Sequence, residues 1–442
     1  MFSQQDVRNI VDKVISYSKL PECEVSVRWT EDAFIRFANN GITTTGYRVT
    51  QQVSITSTTA EKRSGNAAVS ELSDDALKNG VKQAEELAAI SRPDPENMPP
   101  LPAQKYPMLN NFDAFTASAR NAVMIPHVKA VIDGALENKL TAAGYIQRSA
   151  NAVGVGNKAG LFGYHTYTDS SLTDTMRNQE GTSSGWSSQS SVSLKDLNGE
   201  TAARVSTEKC VRGVNRKKLE PGKYTVILEP AAVGDLIGWL GFAFGARDAE
   251  QGQSFLSKKG GGTHLGEKLF PEYITLRSDP FNPKLASTPW VPSLLPNESI
   301  SWIEKGVVKN LVYDRFWASK AAKKPTPSPV NLVLEGQENT LNDLIKSVDR
   351  GLIITRLWYI RVVQPQTWQL TGLSRDGVFL VENGKVTDPA TNFRWNESPA
   401  EVLQRTTKLG HPVRVTGDET GSQMAPALIT TDFNFASVSD AV

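Results

Sequence analysis

Cysteine and histidine are scarce in this chain of 442 residues, which has two of the first and four of the second. Cys23 and Cys210 are too few and too far apart for a disulfide framework, and they suit a reducing compartment. Each reads as a small buried hydrophobe rather than a reactive thiol. Catalytic zinc needs about three protein ligands converging on one point, commonly two histidines on one helix, with a glutamate to activate bound water. His127, His165, His264 and His411 lie farther apart than a helical turn or two, and none belongs to an H-E-x-x-H arrangement. The spacing therefore predicts no metal site and no cofactor within this chain.

An excess of either charge is also missing. Forty-eight Lys plus Arg stand against 47 Asp plus Glu, a net charge of +1, so no overall field favours nucleic acid or an anionic membrane. Long apolar runs are absent too. The most apolar stretch, 231–246, contains Asp235 and four glycines and falls short of the ~20 residues that cross a bilayer; it reads as a buried helix. The first residues place Val7, Ile10, Val11, Val14 and Ile15 on one helical face between charged residues, unlike a cleavable signal peptide. A cytoplasmic protein is expected.

What is present is an alternation of strand and helix blocks. Cys23, Val25, Val27 and Trp29 alternate with polar residues as in a half-buried strand, and 34–37, 43–47 and 52–58 extend a meander through the turn Asn39-Asn40-Gly41. Ser73 caps a helix whose inward stripe is Leu77, Val81, Ala84 and Ala88. Six prolines between Arg92 and Asn111 deny a helix its donors and suggest the first domain boundary. Helices are predicted around 115–123 and from Pro126, then strand-like sequence to about Glu208, in which Gly181–Ser191 reads either as a mobile loop or as a polar exposed strand. A strand at 224–228 leads into the apolar helix. Glu304-Lys305-Gly306 and Glu382-Asn383-Gly384 make hairpins, and Ile429, Thr431, Phe433 and Phe435 form a last strand. Blocks rather than strict alternation favour an α+β, multi-domain fold with large mixed or antiparallel sheets and flanking helices. The expected domains are 1–100, 101–220 and 221–442.

Several motif readings fail in detail. The glycine-rich stretch 258–268 has Glu267 and Lys268 where a P-loop needs Lys and then Ser or Thr, so it reads as a surface loop. Gly154-Val155-Gly156 has its third glycine, Gly160, one residue late for a dinucleotide fingerprint. Ser206-Thr207-Glu208-Lys209 matches S-x-x-K without the companion elements of a serine hydrolase.

Three stretches carry a family resemblance. They are Val226-Ile227-Leu228-Glu229-Pro230-Ala231-Ala232-Val233-Gly234-Asp235-Leu236 with Gly252-Gln253-Ser254-Phe255-Leu256; Gln364-Pro365-Gln366-Thr367 through Leu370-Thr371-Gly372-Leu373-Ser374-Arg375-Asp376-Gly377 and Phe379 to Lys385; and Pro426-Ala427-Leu428 with Asp432-Phe433-Asn434-Phe435. With Arg36 to Ile42 and Glu71-Leu72-Ser73-Asp74, they make the chain resemble the TldD/PmbA family, and within it the metal-free PmbA/TldE type. Catalytic TldD-type members carry H-E-x-x-x-H on the helix that opens the last domain, with a cysteine further on. Here Pro230, Ala231 and Asp235 stand at the first His, the Glu and the second His, and 358–363 holds no cysteine. The resemblance implies a non-catalytic subunit of a two-component peptidase. Its partner would be a TldD-like metallopeptidase chain bearing zinc, its substrate unfolded or linear peptide, and the isolated chain would be able to pair with itself as a homodimer. It also places Thr371, Gly372, Arg375 and Asp376 near the peptide path, against the plainer reading that Asp376 and Gly377 make a β-turn. A self-sufficient hydrolase and a peptide-binding homodimer without peptidase activity stay open as alternatives.

Overall fold

A computed structural model describes residues 1–417 and 420–439. The first 212 residues give α1 (Gln4–Tyr17), β1 (Glu22–Ala38), β2 (Gly41–Thr58), β3 (Ser64–Val69), α2 (Asp74–Ile90), α3 (Ala114–Ser118), α4 (Asn121–Glu137), β4 (Thr141–Asn157), β5 (Phe162–Arg177), β6 (Ser184–Ser191) and α5 (Gly199–Arg212). They build a six-stranded antiparallel sheet in the order β3-β2-β1-β4-β5-β6. Strand β1 pairs on one side with β2 and on the other with β4, from Glu24–Asn157 to Phe37–Gly144. The proline-rich stretch thus runs between two segments that share one sheet. Helix α1 lies on this sheet through Val7 and Val11, and β4 accommodates it with Gly154 and Gly156. A Cβ there would lie 2.1 and 2.4 Å from those valine methyls, so that glycine pair serves helix packing.

Three local expectations are corrected here. Helix α4 opens at Asn121, so Pro126 sits inside it, near enough to the N-terminus that its missing N–H removes a single helical bond. Strand-like sequence does not continue to Glu208. Asn198 caps α5, whose buried stripe is Ala202, Ala203, Ser206 and Cys210. The Ser-rich segment is strand β6, half-buried rather than exposed.

The remainder gives β7 (Gly222–Leu228), α6 (Pro230–Gly241), α7 (Ala246–Glu250), β8 (Leu276–Ser278), β9 (Ile300–Glu304), β10 (Val307–Val308), α8 (Arg315–Lys320), β11 (Leu332–Leu334), α9 (Leu341–Lys346), β12 (Arg350–Gln364), β13 (Gln369–Glu382), β14 (Lys385–Pro389), β15 (Asn392–Glu397), α10 (Pro399–Gln404), β16 (Thr406–Leu409), β17 (Val413–Gly417), β18 (Gly421–Ala425) and β19 (Leu428–Ser439). One sheet runs β10-β9-β8-β11-β18-β17. The other runs β12-β7-β19-β15-β13-β14, with β12 also pairing β13 and β16 pairing β19. The result is an α+β fold with large, mainly antiparallel sheets and flanking helices. The hairpin turns are where the sequence put them. Asn39 and Asn40, Lys305 and Gly306, and Asn383 and Gly384 all have positive φ, the geometry that matches strand twist. The largest apolar core surrounds α6 and is closed by Trp395, Phe393, Phe433 and Phe435, with the Phe393 and Phe435 rings 4.6 Å apart. Among the described residues no helix is long and apolar enough to cross a membrane.

Candidate functional site around helix α6

Strand β7 sits between β12, parallel to it through Leu352–Ile354, and β19, antiparallel through Leu428–Thr430. This central position fixes where α6 begins. The Glu229 N–H donates to Ile354 O at 3.0 Å, and Pro230 takes the first helical position, where a missing N–H costs nothing. Val233, Ile237, Leu240 and the following Phe244 are at most 1% exposed, in agreement with the helical spacing of the sequence.

The face that carries Asp235 is closed by the β17–β18 hairpin. A Cβ at Gly234 would lie 2.4 Å from Val415 Cγ2, one at Gly238 2.4 Å from Thr420 Cβ, and one at Gly417 2.7 Å from Asp235 Oδ1. Two helical glycines thus make room for the Val415 and Thr420 side chains of the hairpin. Asp235 is left 8% exposed, while Pro230 and Ala231 are half-buried. The nearest acid in sequence, Glu229, is paired with Lys209 of α5 at 2.6 Å.

This donor set does not suit a metal. Proline has no ligand atom, alanine no proton acceptor, and no group of three His, Cys, Asp or Glu that would hold an ion occurs among the described residues. The four histidines have separate roles. The His127 ring accepts from the Gly199 N–H, and His165 pairs with Asn111 at 2.8 Å, burial pushing it down to about 4. His264 pairs with Glu267 at 2.6 Å, and exposed His411 lies 4.0 Å from Glu338.

The other sequence candidates fall on β13. Thr371 Oγ1 donates to Trp395 O at 3.1 Å, and Gly372 leaves room for the Trp395 ring, which a Cβ would meet at 2.6 Å. The Arg375 guanidinium stacks 4.2 Å above Trp358. Asp376 and Gly377 do not form a turn. They make an irregularity within β13, where pairing with β12 slips between Ile354 and Arg356. Asp376 is 1% exposed; it accepts from Arg356 Nε at 2.7 Å and from Ser184 Oγ of β6 at 2.8 Å. Its carboxylate therefore bridges the first sheet to the last.

Further contacts continue that seam: Arg356 over Trp186 at 4.7 Å, Thr416 to Ser190 at 3.1 Å, and Arg414 to Asp169. Sequence reasoning missed Lys209, Glu229, Arg356 and Ser184, because nothing in local spacing marks partners drawn from four elements. The Ser-rich composition of β6 was the available signal, since a strand buried against polar partners must supply hydrogen bonds.

Ser206 is fully buried on α5, donating to Asp174 and bonded to the helix's own Ala202 and Ala203 carbonyls. No histidine is its hydrogen-bond partner, which removes the geometric basis for a serine nucleophile.

The sequence model of the PmbA/TldA metallopeptidase C-terminal domain matches residues 221–437, and that of PmbA/TldA metallopeptidase domain 1 matches residues 23–88. The chain belongs to the PmbA/TldD family. It is 22% identical over 431 residues to Metalloprotease PmbA of Escherichia coli O157:H7, covering 94% of this chain and 91% of that protein. The fold of TldE from Thermococcus kodakarensis is similar, with a TM-score of 0.85 at 20% identity over 98% of this chain and 100% of that one. A Bacteroides thetaiotaomicron protein described as a putative modulator of DNA gyrase has a TM-score of 0.82 at 20% identity, covering 99% of this chain and 100% of its own. The family models establish the family, and the structural likenesses establish the fold.

Proposed function

We propose that this chain is a non-catalytic, TldE/PmbA-like subunit of a TldD-type metallopeptidase complex. It works in the cytoplasm beside a chain that carries H-E-x-x-x-H and zinc, and it helps to hold unfolded or linear peptide. The observation that supports this most strongly is the state of α6. Pro230 and Ala231 supply neither ligand nor base, Asp235 is 8% exposed beneath the β17–β18 hairpin, and Glu229 is engaged by Lys209. A water-activating centre needs ligands and a general base together. The self-sufficient hydrolase is the weaker reading, since Ser206 is buried and bonded to Asp174.

The test is to purify the tagged chain from its native host and identify what accompanies it. A stoichiometric companion carrying H-E-x-x-x-H, with zinc found by elemental analysis in the companion alone, is the expected result. One tightly held zinc per copy of this chain would overturn the reading.

A further inference from the structure

On the face of β1 turned away from α1 and α2, a cleft of about 240 Å³ opens where three parts of the chain meet: the β1–β2 pair, the proline-rich stretch and the first residue of α8. A water takes ~30 Å³ of liquid volume, so the cleft has room for a small organic molecule and is far larger than a bare ion.

Its chemistry follows from strand alternation. Cys23 and Val25 enter the core against α1 and α2, so Glu22 and Glu24 project from the opposite face, and Thr56, which faces Glu24 across the β1–β2 pair, projects beside them. The Thr56 hydroxyl gives its hydrogen to Asn66 Oδ1 at 2.6 Å, so these three side chains offer acceptors alone. Both carboxylates are half-buried, and neither makes a hydrogen bond or ion pair with another described residue. Across the cleft stands Arg315, which offers donors alone. Its one hydrogen bond goes to Pro99 O, and it forms no ion pair with either glutamate. Burial pushes the Glu24 carboxyl up and the Arg315 guanidinium down, and the charge of each opposes the shift of the other. The two groups therefore sense each other without touching. Met98, Pro100 and Pro292 line the rest with apolar surface. The cover of the cleft is pinned on both sides of residues 97–100: Glu96 pairs with Arg247 at 2.9 Å, and the Tyr106 hydroxyl donates to Leu294 O at 2.9 Å.

We propose that this cleft binds a free apolar α-amino acid, with its ammonium group on Glu22, Glu24 and Thr56, its carboxylate on Arg315 and its side chain against Met98, Pro100 and Pro292. A metal ion does not suit the same walls, because Arg315 repels it and no third acidic, His or Cys ligand joins the two glutamates among the described residues. The bound zwitterion ties the first sheet to the last domain through its own two charges. The cleft shares no residue with the site around α6, so the inference stands apart from the proposed function.

The experiment is isothermal titration calorimetry of the whole chain with L-leucine, with isoamylamine, which lacks the carboxylate, and with isocaproate, which lacks the amine. L-Leucine should bind, and each analogue should bind at least tenfold more weakly, since a site built for a polar group is left with an unpaired one when that group is missing. Glu24→Gln and Arg315→Gln should each weaken L-leucine binding at least tenfold, while Glu338→Gln, at an exposed acid outside the cleft, leaves it unchanged. Binding of either analogue as tight as that of L-leucine would overturn the two-charge site, and this comparison uses the wild-type chain, whatever the folding of the variants. L-Leucine binding that survives both cleft substitutions would overturn the location. Absence of binding by L-leucine, L-methionine and L-valine at millimolar concentration would overturn the proposal outright.

Discussion

Asp376 and Asp174 are both buried carboxylates, yet their surroundings set them opposite tasks. Asp376 has a matched cation, Arg356, with Nη2 2.5 Å from Oδ2, and removing one partner of such a pair strands the other charge. Asp376→Ala should therefore lower stability by ~3–5 kcal/mol in urea unfolding, with loosening where β6 meets β13. Near-wild-type stability combined with lost peptide binding would instead support its place near the peptide path. Asp174 faces a serine hydroxyl, and burial raises it from 3.8 to about 7, with the Ser206 bond and the Lys209 charge acting against that rise. Between those two values the unfolded chain has released a proton that the folded one retains. Stability is thus fully present below 3.8 and is lost as pH rises toward about 7, at ~1.4 kcal/mol per pH unit. Asp174→Asn retains an acceptor for Ser206 without the charge. It should exceed wild type in urea midpoint at pH 8 and lose that advantage by pH 4.5; an advantage independent of pH would contradict this origin.

Helix α6 and the β17–β18 hairpin form the element pair on which the account turns. Glycine to alanine inside a helix ordinarily gains ~1 kcal/mol from propensity. At Gly234 the added Cβ meets Val415 Cγ2 at 2.4 Å, so Gly234→Ala should cost ~1–3 kcal/mol instead, and amide exchange in 413–417 should accelerate as the hairpin lifts. A net gain in stability would show that the hairpin rests only loosely on the helix. This pair also marks how much was legible in advance. The spacing of Val233, Ile237, Leu240 and Phe244 revealed the helix and its inward side, and Asn39-Asn40 and Asn383-Gly384 revealed their turns, because such signals lie within a few residues. The glycines at 234 and 238 counted only as interruptions of an apolar run, since what approaches them comes from some 180 residues downstream. The turn reading of Asp376 failed for the same reason: its partners are Ser184, on another sheet, and Arg356, across a slipped register.

Across the whole molecule, the first sheet and the last are tied by a polar seam, and the proposed function turns on helix α6 lacking the H-E-x-x-x-H residues expected of a catalytic partner. Pro230 takes the first helical position, and neither it nor Ala231 has a side chain that could ligate a metal or take a proton. Under the proposed function, the chemistry comes from a second chain. The most direct test is cleavage of an unstructured linear peptide by this chain, by a cognate H-E-x-x-x-H chain, and by their mixture, each with and without a metal chelator. The account predicts background turnover for this chain alone, activity in the mixture that chelation or loss of the partner's Glu abolishes, and no effect of Ser206→Ala on that activity. Chelator-resistant turnover by this chain alone would contradict it.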